Sequence, residues 1–411
     1  MHIKIETDIL IIGAGPAGLA ASLYLAYHGV SCVVAEKNSF PRDKICGDAL
    51  SGKVLEALKK IDSSLVDSLK DAPFALPSYG VTFVAPSGRS LRLPFKPTNS
   101  SHQHAPGFIS KRLDFDKFLF DKAKQLSEIT ILEQTEVRKY HRITRGFVAE
   151  DKKGNTYTAR LIIAADGAYS SFTKDIAGLQ SLPQHYCYGL RAYCKGITDL
   201  DDENFIELHF IREALPGYFW IFPLPGGAAN VGIGMRADVL KKKKVNLKKL
   251  FFRLIAEHPA LKQRFNHAEF TETVKLYGLP LGSIKRPISG HHYMLCGDAA
   301  MLIDPFTGEG IGNALLSGIF AAQQAIHCLR TNNFSAQAMK GYDEKVYQRL
   351  GRELTLSYRL QQLVRHPWLF NLVVDKANKK DELRELMMSM FEDVQVRSKL
   401  KNPMFYLKML F

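Results

Sequence analysis

The first sixty residues alternate between short apolar runs, a helical pattern and polar turns. Residues 8–12 and 31–35 are apolar enough to form buried β-strands, and residues 17–28 between them have the period of a helix. A polar loop at 38–51 leads to a second helical pattern at 53–61. This order predicts a strand–helix–strand unit at the start of the chain.

The rest of the chain mixes hairpins, strands and helices. Up to residue 165 the pattern predicts two hairpins, one formed by 81–85 with 90–94 and one by 146–150 with 155–160. It also predicts a helix at 112–126 and strands at 129–137 and 161–165. Between residues 182 and 279 aromatic and polar positions alternate, which is typical of antiparallel strands, and one basic helix at 240–254 interrupts them. A strand at 293–296, a helix at 310–329 and helices from 335 onward, broken at Pro367, complete the prediction.

Segments typical of a dinucleotide-binding fold thus lie at the start of the chain, in its middle and near residue 300, and a β-rich segment is inserted between them. This predicts an α/β protein with an inserted antiparallel β-sheet domain and a C-terminal helical region. We predict the boundaries as 1–75, 105–180 and 280–335 for the dinucleotide-binding domain, 76–104 and 181–279 for the β-rich substrate domain, and 336–411 for the helical region.

Composition fits a folded protein of this size. The chain has 411 residues, of which 46% are hydrophobic and 23% charged, as in ordinary soluble proteins of two or three domains. Its six cysteines lack a C-x-x-C spacing, which favours free thiols and a cytoplasmic location over a disulfide framework. Residues 9–35 carry no charge, yet their glycines and Pro16 argue against a membrane-spanning helix.

The net charge of +14 is concentrated at 241–249 and in the last sixty residues. Residues 240–254 and 399–411 combine lysines with apolar side chains, which suits docking on an anionic membrane surface. Alternatively, the first segment packs on the predicted sheet, and the second folds back or forms a dimer contact. We expect a cytoplasmic protein able to attach to the inner face of the membrane, with no nucleic-acid partner and an undetermined oligomeric state.

Three glycines open the first predicted helix. Gly13 permits a tight turn, Gly15 lets a pyrophosphate approach the backbone, and Gly18 lets the helix pack against the strand. The helix N-terminus then offers N–H groups and a positive dipole end to phosphates. Glu36 ends the next strand, where a carboxylate can accept hydrogen bonds from ribose hydroxyls and would repel the 2′-phosphate of NADP. These residues predict a bound dinucleotide.

Two later strands end at an aspartate beside a glycine. One leads into Asp166 and Gly167, and the other leads into Gly297 and Asp298. A carboxylate at the carboxyl edge of a sheet can bind a polyol such as the ribityl chain of a flavin. The glycine-rich turn before Gly310 would aim N–H groups at negative charge on a reduced flavin. A protein that bound only NAD would not need these segments, so they favour FAD.

These three blocks, in this order, resemble the glutathione-reductase-like FAD fold of the para-hydroxybenzoate hydroxylase-like superfamily. The resemblance covers roughly the first 330 residues and implies a Rossmann-type FAD-binding domain. It also implies a set of cofactor-binding residues, namely Gly13, Gly15, Pro16, Ala17, Gly18, Glu36, Lys37, Cys46, Gly47, Arg112, Val137, Asp166, Gly167, Asp298, Pro305, Gly308, Gly310, Ile311 and Gly312. Without the resemblance, Arg112 would be read as a surface arginine.

Two further segments narrow the resemblance to one family. Residues 40–51, FPRDKICGDALS, are similar to the loop that marks the geranylgeranyl reductase family. Residues 216–223, PGYFWIFP, and the NVGIG segment that follows at 230–234 resemble the substrate-domain strand of that family. Flavin-dependent halogenases carry a related Trp-rich motif, from which this chain departs at Tyr218 and Phe222.

Tyr218, Trp220 and Phe222 alternate along a predicted strand and therefore project from one face. Such a face can wall a channel for a long apolar substrate, or it can be sheet core. With the family resemblance, we predict that these three side chains bind substrate.

Cys46 also has two interpretations. A lone cysteine is often a small buried hydrophobic residue. Here Arg42 and Lys44 precede it and would lower the pKa of its thiol, and the resemblance implies a position beside the flavin. We predict a catalytic role for Cys46, in proton delivery or in tuning the flavin. The histidine and cysteine spacings predict no metal site.

The resemblance implies an FAD-dependent oxidoreductase that reduces isolated C=C bonds of a geranylgeranyl-type chain on a lipid or quinone. Alternatives are an aromatic monooxygenase or halogenase of the same fold, or a non-catalytic flavoprotein that docks on membranes. Only one Rossmann fingerprint is present, and the reductant, NADPH or a small electron carrier, stays undecided.

Overall fold

The computed structural model describes residues 2–95 and 105–388. In chain order the strands are β1 Lys4–Ile12, β2 Cys32–Ala35, β3 Ala49–Leu50, β4 Leu76–Ser78, β5 Gly80–Val84, β6 Ser90–Pro94, β7 Gly107–Ile109, β8 Ile129–Leu132, β9 Val137–Ile143, β10 Gly146–Asp151, β11 Thr156–Ala164, β12 Tyr186–Lys195, β13 Ile206–His209, β14 Tyr218–Leu224, β15 Ala228–Arg236, β16 Glu269–Phe270, β17 Lys275–Pro280, β18 Ser289–Gly290 and β19 Tyr293–Leu295. The helices are α1 Pro16–Ala26, α2 Gly52–Ile61, α3 Ser63–Lys70, α4 Arg112–Lys124, α5 Ser171–Asp175, α6 Ala237–Lys243, α7 Leu247–Glu257, α8 Pro259–Lys262, α9 Ile311–Thr331, α10 Ala336–Leu363, α11 Pro367–Ala377 and α12 Asp381–Met388.

The first sheet has a parallel core in the order β19-β11-β1-β2-β8. The last four residues of β1, Ile9 to Ile12, are at most 4% exposed because the central strand is covered on both faces. β18 joins antiparallel to β19, and the hairpin β9–β10 continues from β11. The parallel strands end together at one edge, where the predicted glycine and aspartate turns follow.

Helices α1 and α9 pack closely on this sheet. A Cβ added at Gly318 of α9 would lie 2.1 Å from the carbonyl oxygen of Ala17 in α1, so only glycine permits this approach. The contact places the N-termini of both helices at the same edge of the sheet.

The second sheet has the order β16-β12-β15-β14-β13-β5-β6, with β17 also paired to β12. All its pairs are antiparallel except β13 with β5. The predicted hairpin at 81–94 is present as β5 and β6 and lies at its edge. Strands β3, β7 and β4 form a small third sheet. The α/β fold class is confirmed, whereas the domain boundaries stay a prediction.

The predicted strand at 129–137 is wrong in one respect, because it is two strands. β8 ends at Leu132, Gln134 adopts a left-handed backbone (φ 52°), and β9 begins at Val137. The intervening turn is held by the Thr135 N–H, which donates to the carbonyl oxygen of Glu36 at 2.8 Å. Because of this break, residues 135–138 line a cleft together with the glycine turn after β1.

The predicted single basic helix at 240–254 is also wrong, since the strands are interrupted by three helices, α6, α7 and α8. Lys244 takes a left-handed conformation (φ 51°) that ends α6, and the Asn246 side chain caps α7 by accepting the Lys249 N–H at 3.0 Å. The apolar side of α7 packs on the second sheet and is buried, at Leu247, Leu250, Phe251 and Leu254. This side is therefore not available to a membrane, and the segment 399–411 lies outside the described residues.

The C-terminal helices connect to both sheets. Tyr342 of α10 donates to the carbonyl oxygen of Leu295 in the first sheet at 2.5 Å. Asn371 of α11 accepts the Ser87 N–H of the β5–β6 turn at 3.0 Å. Across residues 2–95 and 105–388, we find no helix with the length and apolarity needed to cross a membrane.

Candidate active site

Two clefts meet between the first and second sheets. One, of about 1430 Å³, is lined by the glycine turn, Glu36 and Asp166, and we call it the polar cleft. The other, of about 1270 Å³, is lined largely by apolar and aromatic side chains, and we call it the apolar cleft. The clefts share a set of lining residues, the junction, which consists of Pro16, Lys44, Ile45, Arg112, Tyr277, Asp298 and Ala314.

The three glycines of the first turn have different roles in the polar cleft. Gly13 has a φ of +96°, and a Cβ there would lie 2.5 Å from the carbonyl oxygen of Ala165. A Cβ at Gly18 would lie 1.9 Å from the carbonyl oxygen of Gly13, so Gly18 serves the packing of α1. A Cβ at Gly15 would meet only Arg42, 3.7 Å away, and would otherwise project into the cleft. Gly15 therefore leaves space for a group in the cleft.

Glu36 is oriented toward this turn. Its Oε2 accepts the Ala14 N–H at 2.8 Å, and its Oε1 accepts the Asn38 N–H at 3.0 Å. Arg42 lies 3.5 Å from Glu36 and donates to the carbonyl oxygen of Ala14 at 3.1 Å. The carboxylate is fixed at the end of β2, where Lys37 and Val137 also line the cleft.

Three aspartates, Asp43, Asp166 and Asp298, line the polar cleft. Burial raises the pKa of Asp166 to about 6, and its Oδ1 is buried with no hydrogen-bond partner among the described residues. Asp298 lies at the junction and accepts a hydrogen bond from Lys44 at 2.7 Å. An unsatisfied buried oxygen beside a glycine turn fits a ligand with hydroxyl donors and phosphates, which is the chemistry of FAD.

In and after the turn before α9, some of the predicted cofactor-binding residues line a cleft and others do not. Gly308, Gly310 and Ile311 line the apolar cleft next to Asp298, whereas Pro305 and Gly312 line neither cleft. The N–H of Gly312 donates to the side chain of Glu309 at 2.8 Å, so it is already engaged.

The aromatic residues of β14 form one wall of the apolar cleft. The indole of Trp220 lies against Gly232 of the neighbouring strand, where a Cβ would be 2.1 Å from Cζ2 of the ring. Its Nε1 donates to Oδ1 of Asn230 at 2.9 Å. The small residues of the NVGIG segment therefore make room for the indole, and Asn230 fixes its orientation.

The other two aromatic residues contact the loops of the cofactor side. The hydroxyl of Tyr218 donates to the carbonyl oxygen of Thr307, in the turn before α9. The ring of Phe222 covers Gly47, where a Cβ would be 2.8 Å from Cε2. All three predicted substrate residues line the apolar cleft together with Cys46 and Gly47.

The loop carrying Cys46 is held by the second sheet. Nδ2 of Asn230 donates to the carbonyl oxygen of Cys46 at 2.7 Å. The two cations of this loop that precede Cys46 pair with carboxylates, Arg42 with Asp116 at 2.9 Å and Lys44 with Asp298 at 2.7 Å. Among the described residues, neither donates a hydrogen bond to the Cys46 thiol.

Arg112 lies at the junction and is not a surface residue. It is 2% exposed, and its guanidinium makes two hydrogen bonds to Asp116, at 2.6 and 2.7 Å. Arg42 binds the same carboxylate, so Asp116 joins the loop at 40–51 to α4.

Sequence reasoning missed several residues that line or organise the clefts. Asp48 and Asn230 lie inside the two segments that resemble the family, whereas no short spacing marks Tyr193 and Tyr277. Lys44 and Asp48 lie inside the loop at 40–51 that resembles the family. Their charge was the one signal in that loop that could have indicated a role in the site.

Two family models match the chain. Residues 6–205 match an FAD binding domain, and residues 186–273 match a geranylgeranyl reductase catalytic domain. The digeranylgeranylglycerophospholipid reductase of Thermoplasma volcanium is 30% identical over 353 residues, which are 84% of this chain and 84% of that protein. The chain belongs to the geranylgeranyl reductase family. Members of this family are FAD-dependent oxidoreductases, and FAD is the cofactor of this chain.

Solved structures agree with this family. A geranylgeranyl bacteriochlorophyll reductase-like protein of Thermoplasma acidophilum superimposes with a TM-score of 0.81 at 25% identity, covering 97% of this chain and 99% of that one. The flavin-dependent brominase Bmp2 has a TM-score of 0.75 at 19% identity, covering 94% of each chain, and shows a common fold alone.

Proposed function

We propose that this protein reduces isolated carbon–carbon double bonds in a prenyl chain of the geranylgeranyl type, carried on a lipid or a quinone. The observation that carries the proposal is the apolar cleft. It is walled by Trp220 and Phe222 and opens at the junction onto the cofactor cleft.

The residues of the apolar cleft suit a long hydrocarbon. Leu50, Phe108, Ile206 and Leu208 extend the apolar lining away from the junction. The indole N–H of Trp220 is already bonded to Asn230, so the ring presents a face without an unsatisfied donor. A prenyl chain would be held there by apolar burial, and water would be excluded from its double bonds.

The polar cleft would hold FAD through the helix N-terminus at Gly15, through Glu36 and through Asp166. When bound and reduced, FAD supplies the hydride for the reduction. The Cys46 loop and Arg112 lie where the two clefts meet and are proposed to set the position of the reacting double bond. We retain the prediction that Cys46 is catalytic.

Anaerobic reoxidation tests this function. The flavin of the holoprotein is reduced, and a geranylgeranyl lipid or a prenyl quinone is added without oxygen. We expect the oxidised flavin spectrum to return and the lipid to gain two hydrogens for each double bond reduced. A saturated lipid of the same length is the control, because it offers the same burial but no acceptor.

The same assay separates the alternatives. A monooxygenase or halogenase of this fold would reoxidise only with oxygen present. A docking flavoprotein would not respond to any lipid. The cavity-lining Lys44 is paired with Asp298 at 2.7 Å, which gives no support to the halogenase alternative. NADPH and a reduced ferredoxin-type carrier can be compared directly as reductants.

We also propose peripheral binding to anionic membranes. The support is a row of exposed lysines on α6, on α7 and at the residue that follows α6, namely Lys241, Lys242, Lys243, Lys244, Lys248 and Lys249. Sedimentation with phosphatidylglycerol vesicles should decrease at high salt and when these lysines are changed to glutamine. Equal binding to phosphatidylcholine vesicles would contradict an electrostatic contact.

A further inference from the structure

Asp48 is a buried carboxyl group on the wall of the apolar cleft, two residues after Cys46. Its backbone is left-handed (φ 70°), a conformation that aspartate tolerates better than most residues. Phe222 packs over the preceding Gly47, and Asn230 holds the carbonyl oxygen of Cys46. The carboxyl group therefore has a fixed position beside Cys46 and the aromatic wall.

The stronger hydrogen bonds to the Asp48 carboxyl group are made to one oxygen, Oδ2. Oδ2 accepts from the Tyr193 hydroxyl at 2.7 Å and from Nδ2 of Asn230 at 2.7 Å. Among the described residues, Oδ1 accepts only a long bond, 3.3 Å, from the backbone N–H of Arg112. Oδ1 thus keeps the capacity to carry a proton.

Three carboxyl groups line the apolar cleft, and they differ in their partners. Asp298 is paired with Lys44 at 2.7 Å, and Glu309 is paired with Lys53 at 2.5 Å. Within the part of the chain that the structure describes, Asp48 makes no salt bridge.

The cations near Asp48 serve other carboxylates. Arg112 is engaged by Asp116, while Arg191 pairs with Asp43 at 2.7 Å and Glu272 at 3.0 Å. The Arg191 guanidinium lies 4.0 Å from the centre of the Tyr193 ring, and Lys111 lies 4.9 Å from it. Burial raises the pKa of Asp48 to about 6, against an opposing effect of Arg191.

We propose that Asp48 is the catalytic acid of the alkene reduction, held in place by Tyr193 and Asn230. This inference rests on the proposed function. The π electron pair of the double bond takes the Asp48 proton at one carbon, and a hydride from the reduced flavin reaches the other carbon. The Asp48 carboxylate then regains a proton from water.

The phenol of Tyr218, another donor on the cleft wall, is a weaker acid. Burial raises the pKa of the Tyr218 phenol, and its hydroxyl already donates to Thr307. A carboxyl group with a pKa near neutrality is suited to give a proton and recover it. The proton-donating form of Asp48 is present below its pKa of about 6 and is lost as the pH rises. Turnover should therefore be fastest on the acidic side and fall above about pH 6.

Asp48→Asn tests the proposal, with Asp151→Asn as the matched control. Asp151 is also buried and accepts a tyrosine hydroxyl, from Tyr157 at 2.9 Å, but it lies in the first sheet away from both clefts. We expect Asp48→Asn to keep its flavin and to slow anaerobic reoxidation by prenyl substrate about 100-fold or more. The control should stay close to wild type.

A second measurement needs neither flavin nor turnover. In an Asp166→Asn background, which removes the other buried carboxyl group with a pKa of about 6, infrared difference spectra of the flavin-free protein across the acid range should contain a protonated-carboxyl band that titrates at a pH of about 6. That band should be absent in Asp48→Asn and present in Asp151→Asn. Its presence in Asp48→Asn would remove Asp48 as the neutral acid.

The outcomes separate the two proposals. Reoxidation of Asp48→Asn within about threefold of wild type would overturn the acid assignment and leave the reductase function standing, since a catalytic acid contributes about 100-fold or more. Wild-type protein that no prenyl substrate reoxidises would overturn the reductase function itself.

If the Asp48→Asn protein loses its flavin or does not fold, the Tyr193→Phe variant tests the acid assignment instead. Loss of the hydroxyl donor should move the falling limb of the pH profile to higher pH, and an unmoved limb would contradict the proposal.

Discussion

The polar and apolar clefts share a junction, yet they are built in different ways. The polar cleft lies at the carboxyl edge of the parallel strands, where backbone N–H groups and single carboxylates are exposed by short turns after β1, β2 and β11. The apolar cleft lies on the face of the antiparallel sheet, where residues from three strands must lie side by side.

The difference appears clearly in one cross-strand row. Tyr193 of β12 lies opposite Asn230 of β15, which lies opposite Phe222 of β14. In the next row, Arg191, Gly232 and Trp220 stand in the same relation. Each row joins residues of three strands, and its function depends on register. Each turn of the polar cleft is therefore set by neighbours in the sequence, whereas a row on the sheet face is set by strand pairing.

The largest expected effect is on the polar cleft. Gly15→Val should leave the fold intact, because a side chain there meets only Arg42, but it should fill the space for the pyrophosphate. We expect flavin content to fall to less than about a tenth of wild type, a change of about 1.4 kcal/mol or more in binding. Flavin absorbance per folded chain measures this.

Gly18→Ala is the contrasting variant. Its Cβ would overlap the Gly13 carbonyl oxygen at 1.9 Å, so the loss should be of folding stability and not of flavin alone. A yellow, fully loaded Gly15→Val protein would contradict the position of the cofactor.

A second comparison uses neighbouring residues of β14 that face opposite ways. Trp220 lines the apolar cleft, whereas Phe219 packs on Phe251 of α7. Trp220→Leu should reduce turnover of long prenyl substrates about tenfold or more, a loss of about 1.4 kcal/mol, with the flavin spectrum unchanged. Phe219→Leu should cost about 1–3 kcal/mol of stability and leave turnover per folded molecule unchanged. Equal turnover in the two variants would mean that Trp220 is sheet core.

The pKa of Asp166 gives a pH-dependent prediction. Burial favours its neutral form, with a pKa of about 6, so the folded state binds more protons than the unfolded state between about pH 4 and about pH 6. This group therefore lowers stability as the pH rises through that range. Asp166→Asn should stabilise the flavin-free protein at neutral pH by about 3 kcal/mol, and by nothing below about pH 4. Chemical denaturation at both pH values checks the sign, and flavin binding should weaken in the same variant.

The smallest expected effect on stability concerns Cys46. Its side chain is partly buried in the loop that Asn230 and Phe222 hold from outside, so the thiol carries little of the packing. Cys46→Ser should change the free energy of unfolding by less than about 1 kcal/mol. It should nevertheless alter the rate or the product of reduction. A large loss of stability with normal kinetics would make Cys46 a structural residue.

The sequence by itself determined the α/β class, the glycine turn, Glu36, the Asp166 and Asp298 positions and the family. Each depends on neighbours within a few residues, because a turn after a buried strand has few ways to fold. Tertiary structure alone decided that 129–137 divides in two and that α7 buries its apolar side. It also decided that Asn230 joins Trp220, Cys46 and Asp48 in one site. Those contacts arise from strand register and from packing between sheets, which bring together residues up to 184 positions apart, and no local pattern encodes them.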